Sequence, residues 1–189
     1  MMSARVRLRP PTIDDVTMMD SWRLNIADGM GLFNDFGQEF KSQMMTAEEG
    51  RVIGEDHGTL LIERVEDGLV LGSVDWRPAM YGPTVESRAW AIGISLIAAG
   101  RGQGYGPEAL RILAAYLFER SPVQRIEGST DIDNVASQRA LEKAGFTREG
   151  VNRKAQFRAG GLHDLVQYSL LREEFEAAGR TTIGVGYDP

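Results

Sequence analysis

The chain has 189 residues, of which 42% are hydrophobic and 25% are charged, and its formal net charge at pH 7 is −6. This is the composition of a folded globular protein, and its negative charge argues against a broad nucleic-acid-binding surface. The absence of cysteine excludes disulfides, thiolate metal sites and a cysteine nucleophile, and two histidines are too few for a histidine-rich metal site.

Apolar residues are distributed without a run long enough to span a membrane. The N-terminal residues also lack the apolar core of a signal peptide. We therefore expect one cytoplasmic domain over residues 1–179, a monomer or a homodimer, and a flexible tail over 180–189. We expect no metal, nucleic acid or membrane among its partners.

The first half of the chain combines three strands with one regular helix. Apolar periodicity predicts, in order, a strand over 6–10, a helix over 14–26, and strands over 59–64 and 69–76. Asp67-Gly68 between the last two is a hairpin signal. The glycine-rich segment 29–58 is irregular, with a short helix over 40–45 or 48–53. It forms either one wall of a substrate cleft or a plain connection.

The second half alternates strands and helices before it ends in a hairpin. The predicted elements are a strand over 85–96, a helix over 107–119, a strand over 125–130, a helix over 134–143, and strands over 146–157 and 162–171. Gly160-Gly161 joins the last two strands. The order is therefore one βαβ unit with hairpins on both sides of it.

The turn between the strand over 85–96 and the following helix has features of a phosphate-binding site. Its glycines, Gly102, Gly104 and Gly106, let the backbone approach an anion and adopt positive φ, and Pro107 suits the first helical position. Free amides at a helix N-terminus attract a diphosphate, and Arg101 adds a full charge. By itself, the same turn also fits a plain strand-to-helix connection.

A dinucleotide-binding domain is an alternative interpretation of this turn. Gly104-x-Gly106-x-x-Ala109 fits the Rossmann fingerprint, and Glu127 follows at nearly the expected distance for a ribose contact. A Rossmann domain, however, repeats parallel βαβ units, whereas hairpins flank the single unit here. The alternative reading of Glu127 is a solvent-facing carboxylate on a strand.

A second motif begins at Asn134, which reads as a helix N-cap, and ends at Gly145, which reads as the C-cap. Together with the turn at 101–106, it resembles the GNAT superfamily of N-acetyltransferases. The segments 134–150 and 161–171 are similar to the branch of ribosomal-protein alanine N-acetyltransferases of the RimJ/RimL type. The resemblance implies an α/β (α+β) fold, with a mixed, mostly antiparallel sheet, a central βαβ unit and helices on both faces.

The co-substrate implied by the resemblance is acetyl-CoA, and the second substrate is a primary amine on a small molecule or a protein N-terminus. Backbone groups near Ile94 and Leu96 pair with pantetheine like an added strand, and Asn134 contacts it. The amides implied to bind the diphosphate are those of Arg101, Gly102, Gln103, Gly104, Tyr105 and Gly106.

The resemblance also implies direct attack of the amine on the thioester. The amide of Leu96 is the expected oxyanion donor. Leu141 stands where many relatives have a tyrosine general acid, so we assign that role to Ser137, one helical turn after Asn134. An equally good interpretation of Ser137 is a small residue that allows close packing.

The general base is left open by the sequence. Some relatives have a glutamate where Gln156 stands, and glutamine cannot accept the proton. Glu86 is our first choice, and a water chain is a further alternative; the other carboxylates considered are Asp75, Asp131 and Asp133. For His163 a structural hydrogen bond is the better interpretation. Because acid and base both depart from the pattern, a coenzyme-binding module without turnover is the competing function.

Overall fold

A single seven-stranded sheet organises the part of the chain that a computed structural model describes, residues 4–24, 31, 33 and 57–179. Its strand order is β1-β2-β3-β4-β5-β7-β6. The strands are β1 (Val6–Arg9), β2 (Gly58–Arg64), β3 (Val70–Met80), β4 (Arg88–Leu96), β5 (Arg125–Asp131), β6 (Thr147–Arg158) and β7 (Gly161–Leu171). The helices are α1 (Asp15–Leu24), α2 (Tyr105–Arg120), α3 (Val135–Ala144) and α4 (Arg172–Ala177).

Only β4 and β5 pair in parallel, and α2 connects them, while every other neighbouring pair is antiparallel. The mixed, mostly antiparallel sheet with a central βαβ unit is confirmed. The connection through α2 is needed because parallel neighbours cannot be joined by a tight turn.

Helices cover both faces of the sheet, as expected. Leu60 and Ile62 of β2 belong to the main core with α2, while Leu61 between them packs with Met19 and Trp22 of α1. Successive strand residues point to opposite faces, so α1 and α2 lie on opposite sides. None of the helices among the described residues is long and apolar enough to cross a membrane.

The start of α2 differs from the prediction. The helix begins at Tyr105, two residues earlier than expected, after Gly104 in the left-handed conformation at φ 82°. Pro107 is therefore the third helical residue rather than the first. It is tolerated there because the first four helical amides have no intrahelical acceptor in any case.

The turns are set by residues with positive φ. Gly68, in the hairpin between β2 and β3, has φ 74°. In the last hairpin the turn is Ala159-Gly160, at φ 48° and 80°, whereas the sequence pointed to Gly160-Gly161. Gly161 instead pairs with Arg158 as the first residue of β7. Two central residues at positive φ match the twist of the flanking strands.

Other boundaries also shift. Residues 85–87 form a short 3₁₀ turn and not the start of β4, while β3 continues to Met80, four residues beyond its predicted end. The helix α4, in the charged segment that follows β7, was not predicted. The short helices predicted over 40–45 or 48–53, and the tail over 180–189, lie outside the described residues.

Candidate active site

The central strands part in the middle of the sheet. β4 and β5 are paired only from Trp90 to Ile92, opposite Ile126 to Gly128. Beyond these residues β4 remains paired with β3 as far as Leu96, and β5 remains paired with β7 as far as Asp131. A wedge-shaped opening therefore lies between the carboxyl ends of two strands that are each held on their outer side.

Backbone groups of β4 point into this opening. Pairing with β3 continues in register to the bond from the Ile97 N–H to the Leu71 carbonyl, 2.9 Å long. Hydrogen-bonded and non-bonded pairs alternate in an antiparallel ladder, so the N–H and C=O groups of Ile94 and Leu96 face away from β3. These are the residues expected to pair with pantetheine.

The walls of the opening come from the two flanking helices. A Cβ at Gly106 of α2 would lie 3.5 Å from Leu96 Cδ1, 3.7 Å from Ala140 Cβ and 3.8 Å from Ile94 Cδ1. Gly106 thus lets α2 and α3 approach β4 together. A Cβ at Gly128 would lie 3.2 Å from Leu141 Cδ2. Leu141 therefore closes the opening at the point where the two strands diverge.

The glycine-rich turn stands at the mouth of the opening. Gly102 and Gly104 have φ of 72° and 82°, and no heavy atom of the described residues lies within 4 Å of the Cβ position of Gly102. The Arg101 N–H is already used, since it donates to the Ala98 carbonyl at 3.2 Å. The Arg101 side chain turns back, with Nε donating to the Leu96 carbonyl at 2.8 Å. Because its carbonyl is occupied, Leu96 presents its backbone N–H as a hydrogen-bond donor to the opening.

Asn134 and Ser137 lie at the start of α3, next to the same opening. Asn134 is the N-cap, as predicted, because its Oδ1 accepts the Ser137 N–H at 3.1 Å. Ser137 is half-buried and precedes Ala140 by one helical turn, on the face that approaches β4. Ala140 and Leu141, one turn further along α3, reach the opening, and Leu141 is buried to 3% exposure.

Glu86, our first choice as base, is badly placed. It is exposed in the 3₁₀ turn before β4, so about 30 Å of strand separates it from Leu96. Hydrogen bonds from its own backbone N–H and from Thr84 hold the pKa of its carboxyl below the usual range. The resemblance already implied that the coenzyme lies along Ile94 and Leu96, at the opposite end of β4 from Glu86.

Asp131 is close to the opening but is engaged in an ion pair. Its Oδ2 pairs with Nη2 of Arg158 and lies 3.2 Å from Nδ1 of His163. Its Oδ1 accepts the Asp133 N–H at 2.8 Å, and Asp133 itself is exposed. His163 Nε2 is also 3.1 Å from the Arg158 carbonyl, which fits the structural role expected for this histidine.

Asp75 is the carboxylate that best combines position with protonation behaviour. It lies on β3 opposite Gly93, the first residue of β4 beyond the last pair with β5. Its neighbours Val74 and Trp76 are in the core beneath α2, so Asp75 points to the other face. Burial raises the pKa of its carboxyl, opposed by attraction to the Arg77 guanidinium.

A polar groove, which the sequence did not reveal, lies on the face of the sheet that carries Asp75. It has a volume of about 620 Å³. Arg125 organises it, with Nε 3.0 Å from Glu127 Oε2 and a bidentate pair to Glu149 at 2.6 and 2.5 Å. Glu127 also accepts the Tyr81 hydroxyl. Glu127 is thus part of a side-chain network, and the dinucleotide interpretation loses its ribose contact.

Comparisons with known proteins agree with this architecture. The profile of the acetyltransferase (GNAT) domain matches residues 5–147. The ribosomal N-acetyltransferase candidate YdaF of Bacillus subtilis (strain 168) is 32% identical over 113 residues, which cover 59% of this chain. The match spans only 62% of that relative's length.

Two solved structures share the fold at low sequence identity. RimJ of Mycobacterium smegmatis, in complex with CoA-disulfide, has a TM-score of 0.75 at 19% identity, covering 94% of this chain and 91% of its own. Spermidine N-acetyltransferase of Vibrio cholerae, in complex with CoA and spermine, has a TM-score of 0.74 at 15% identity, covering 92% and 99%. Since the domain profile covers well over half of its residues, this chain belongs to the GNAT family of acetyltransferases.

Proposed function

We propose that this protein transfers the acetyl group of acetyl-CoA to a primary amine by direct attack. The observation that carries the proposal is the opening between β4 and β5, with the backbone of Ile94 and Leu96 along one edge and the glycine-rich turn at its mouth. The names of the relatives add support, since RimJ was solved with CoA-disulfide and the spermidine enzyme with CoA and spermine.

The residues fit the coenzyme in two places. Amides from Gly102 to Gly106 bind its diphosphate, helped by the positive φ of Gly102 and Gly104 and by the positive end of the α2 dipole. The backbone groups of Ile94 pair with the amide groups of pantetheine, as an added strand would, and Leu96 contacts the coenzyme through its N–H at the thioester. Asn134 contributes its side-chain N–H₂, because its oxygen caps α3.

The Leu96 N–H stabilises the charge that develops on the thioester oxygen as the amine nitrogen attacks the carbonyl carbon. The carbon–sulfur bond then breaks, and the Ser137 hydroxyl passes a proton to the departing sulfur while it takes up one from solvent water. Proton transfer contributes about 10²–10⁴-fold, whereas alignment of the reactants can contribute roughly 7–11 kcal/mol. Positioning by the opening is therefore the larger part of catalysis.

Asp75 replaces Glu86 as the general base in this proposal. A carboxyl with a raised pKa is a better match to an amine's proton near neutral pH than an exposed carboxyl. It faces the side of the sheet away from α2, so the amine approaches from that side and reaches the thioester through the opening. A bound water completes the path where the amine is too far for direct contact.

The polar groove extends the site for the acceptor, since it lies on the Asp75 face and has two carboxylates for one guanidinium. This balance favours an acceptor with additional positive charge, either a polyamine or a basic peptide. The decisive experiment measures CoA release from acetyl-CoA with a panel of peptides and polyamines. Turnover with a cationic amine supports the proposal, and no turnover with any amine contradicts it.

A coenzyme-binding module without turnover is the second candidate. The observation in its favour is Leu141, which is buried against Gly128 where many relatives have a tyrosine acid. Calorimetry with acetyl-CoA separates the two functions when run beside the turnover assay. Tight binding without turnover on the whole amine panel favours the module.

A further inference from the structure

Arg5 lies where the start of β1 meets the N-terminus of α2, at the back of the glycine-rich turn. Its backbone N–H donates to Glu108 Oε1 at 2.5 Å, and its Nε donates to Glu108 Oε2 at 3.0 Å. Its Nη1 donates to the Gln103 carbonyl at 3.1 Å. The guanidinium also stacks on the Tyr105 ring, 5.0 Å from its centre. One side chain thus joins β1, the turn and α2.

The bond to Gln103 controls the direction of the next amide. In a planar trans peptide the C=O and the following N–H point in opposite directions. Because the Gln103 carbonyl points to Arg5, the Gly104 N–H points away from Arg5. Glycine at φ 82° makes this orientation accessible, and Nη2 of Arg5 lies 3.2 Å from the Cβ position of Gly104.

The pair with Glu108 controls the charge at the same place. Glu108 is in the first turn of α2, where a carboxylate stabilises the helix but repels an anion bound to the same helix end. Its side chain is 14% exposed, and Nη2 of Arg5 lies 3.0 Å from Oε2. Glu108 also accepts the Val6 N–H at 3.3 Å. Arg5 therefore offsets a negative charge that β1 and α2 hold near the turn.

We infer that Arg5 is a positioning residue for coenzyme binding, which aims the Gly104 N–H at the diphosphate and shields it from Glu108. This rests on the proposed function, because it assumes that the turn binds the coenzyme. Arg5 acts through the turn and through Glu108. It therefore sets the affinity for the coenzyme and leaves the chemical step unchanged.

Titration calorimetry with CoA on the full chain tests the inference. Arg5→Met keeps the length of the side chain but removes its charge and donors, and it should raise the Kd for CoA about tenfold, the size expected for a charge-assisted hydrogen bond. The kcat at saturating acetyl-CoA should stay within about twofold of wild type. Adding Glu108→Gln to Arg5→Met should recover part of the affinity, since the repulsion is removed.

Arg7→Met is the matched control. Arg7 is two residues further along, is exposed to a similar extent, 59% against 54%, and pairs with Glu63 instead of Glu108. It should leave the Kd for CoA unchanged. Melting temperatures of all variants report any purely structural loss, and Arg5→Lys, compared with Arg7→Lys, decides the matter if Arg5→Met does not fold.

The possible outcomes distinguish a failure of this inference from a failure of the proposed function. An equal Kd in wild type, Arg5→Met and Arg5→Lys overturns the role of Arg5 and leaves the coenzyme site in place. A wild type that does not bind CoA overturns both. A lower melting temperature with unchanged Kd makes Arg5 a structural link alone.

Discussion

The carboxylate of Asp75 lies directly above the backbone of Gly93, its register partner in β4. Its two oxygens are 2.6 and 2.9 Å from the position that a Cβ on Gly93 would occupy. Only glycine leaves room for this arrangement at the point where β4 and β5 part. The pair therefore places an acidic group with a raised pKa beside the opening.

Replacing Asp75 should remove proton acceptance while keeping coenzyme affinity. In wild type, kcat/KM should rise with pH as the raised pKa of Asp75 is passed, because the base acts when ionised. Asp75→Asn should lower kcat/KM by about 10²–10⁴-fold and abolish this rise, which forms the acidic limb of the pH profile. Steady-state kinetics across pH measure both effects, and a limb that persists in the variant contradicts the role.

The same substitution should stabilise the fold at neutral pH. When folding raises the pKa of a carboxyl, the group does not destabilise the fold below its unfolded pKa, where it is protonated in both states. The destabilisation grows as the pH rises through the folded pKa, because the buried group must then ionise. Asp75→Asn removes that cost, and each kcal/mol gained raises Tm by roughly 2–4 °C in a chain of this size. Thermal unfolding should show a larger gain at pH 7.5 than at pH 4, and an equal gain at both would refute the burial argument.

Changing Gly93 should disturb Asp75 without touching the coenzyme turn. In Gly93→Ala the new methyl group would be 2.6 Å from an Asp75 oxygen, so the carboxylate must move. We expect kcat to fall by about tenfold or more, since misplaced groups lose catalytic alignment. Gly161→Ala is the control for size, because Gly161 lies outside the opening and its methyl group would meet its nearest neighbour, His163 Nε2, at 3.8 Å. Equal losses of kcat in the two variants would contradict the prediction.

Ser137→Ala should lower turnover more than coenzyme affinity. If the hydroxyl protonates the departing sulfur, kcat falls by up to about 10²-fold while the Kd for CoA changes little. Ser137→Cys retains a donor and should recover part of the rate. If Ser137 only allows close packing, the alanine variant should keep the wild-type kcat.

Gly104→Glu should weaken coenzyme binding severely, through bulk and like-charge repulsion at the diphosphate. Gly68→Glu is a matched control, because both glycines have positive φ, 82° and 74°, and Gly68 lies in a hairpin turn. Each substitution should cost about 1–2 kcal/mol of stability from the left-handed backbone. Calorimetry should detect a loss of CoA affinity in Gly104→Glu alone, and unchanged affinity there removes the turn from the site.

Asp131→Asn should destabilise the protein because Asp131 is a structural residue. Its partner Arg158 is buried to 7% exposure, so losing the carboxylate leaves a buried cation without that compensation. Breaking a buried pair in this way costs about 3–5 kcal/mol. Denaturant unfolding measures the loss, while kcat per folded molecule should stay near wild type; a large drop in kcat would make Asp131 a candidate base again.

Local signals in the chain were enough for most elements and for part of the site. Asn134 as N-cap, Gly104 at positive φ and the Asp67-Gly68 hairpin all follow from the chemistry of neighbouring residues. The sequence predicts the ends of the elements less accurately. Pro107, for example, is acceptable at several positions of the first helical turn, and local sequence does not distinguish them. The resemblance to GNAT proteins rests on two motifs about thirty residues apart.

The choice of base could not come from the sequence. Asp75 and Glu86 are both acidic residues on or near central strands, and nothing local separates them. Their difference depends on where β4 and β5 part and on which face each residue points to. Register and face are set by pairing between separate strands, which is a property of the folded sheet.

The sequence by itself determined the order of the seven strands and of α1, α2 and α3, the capping residues and the glycine-rich turn, because each depends on residues a few positions apart. Tertiary structure alone decided the opening beyond Ile92 and Gly128, the position of Asp75 over Gly93, and the contact of Arg5 with Glu108, 103 residues away. These relationships arise only when packing brings distant segments together, since local backbone preferences carry no information about them.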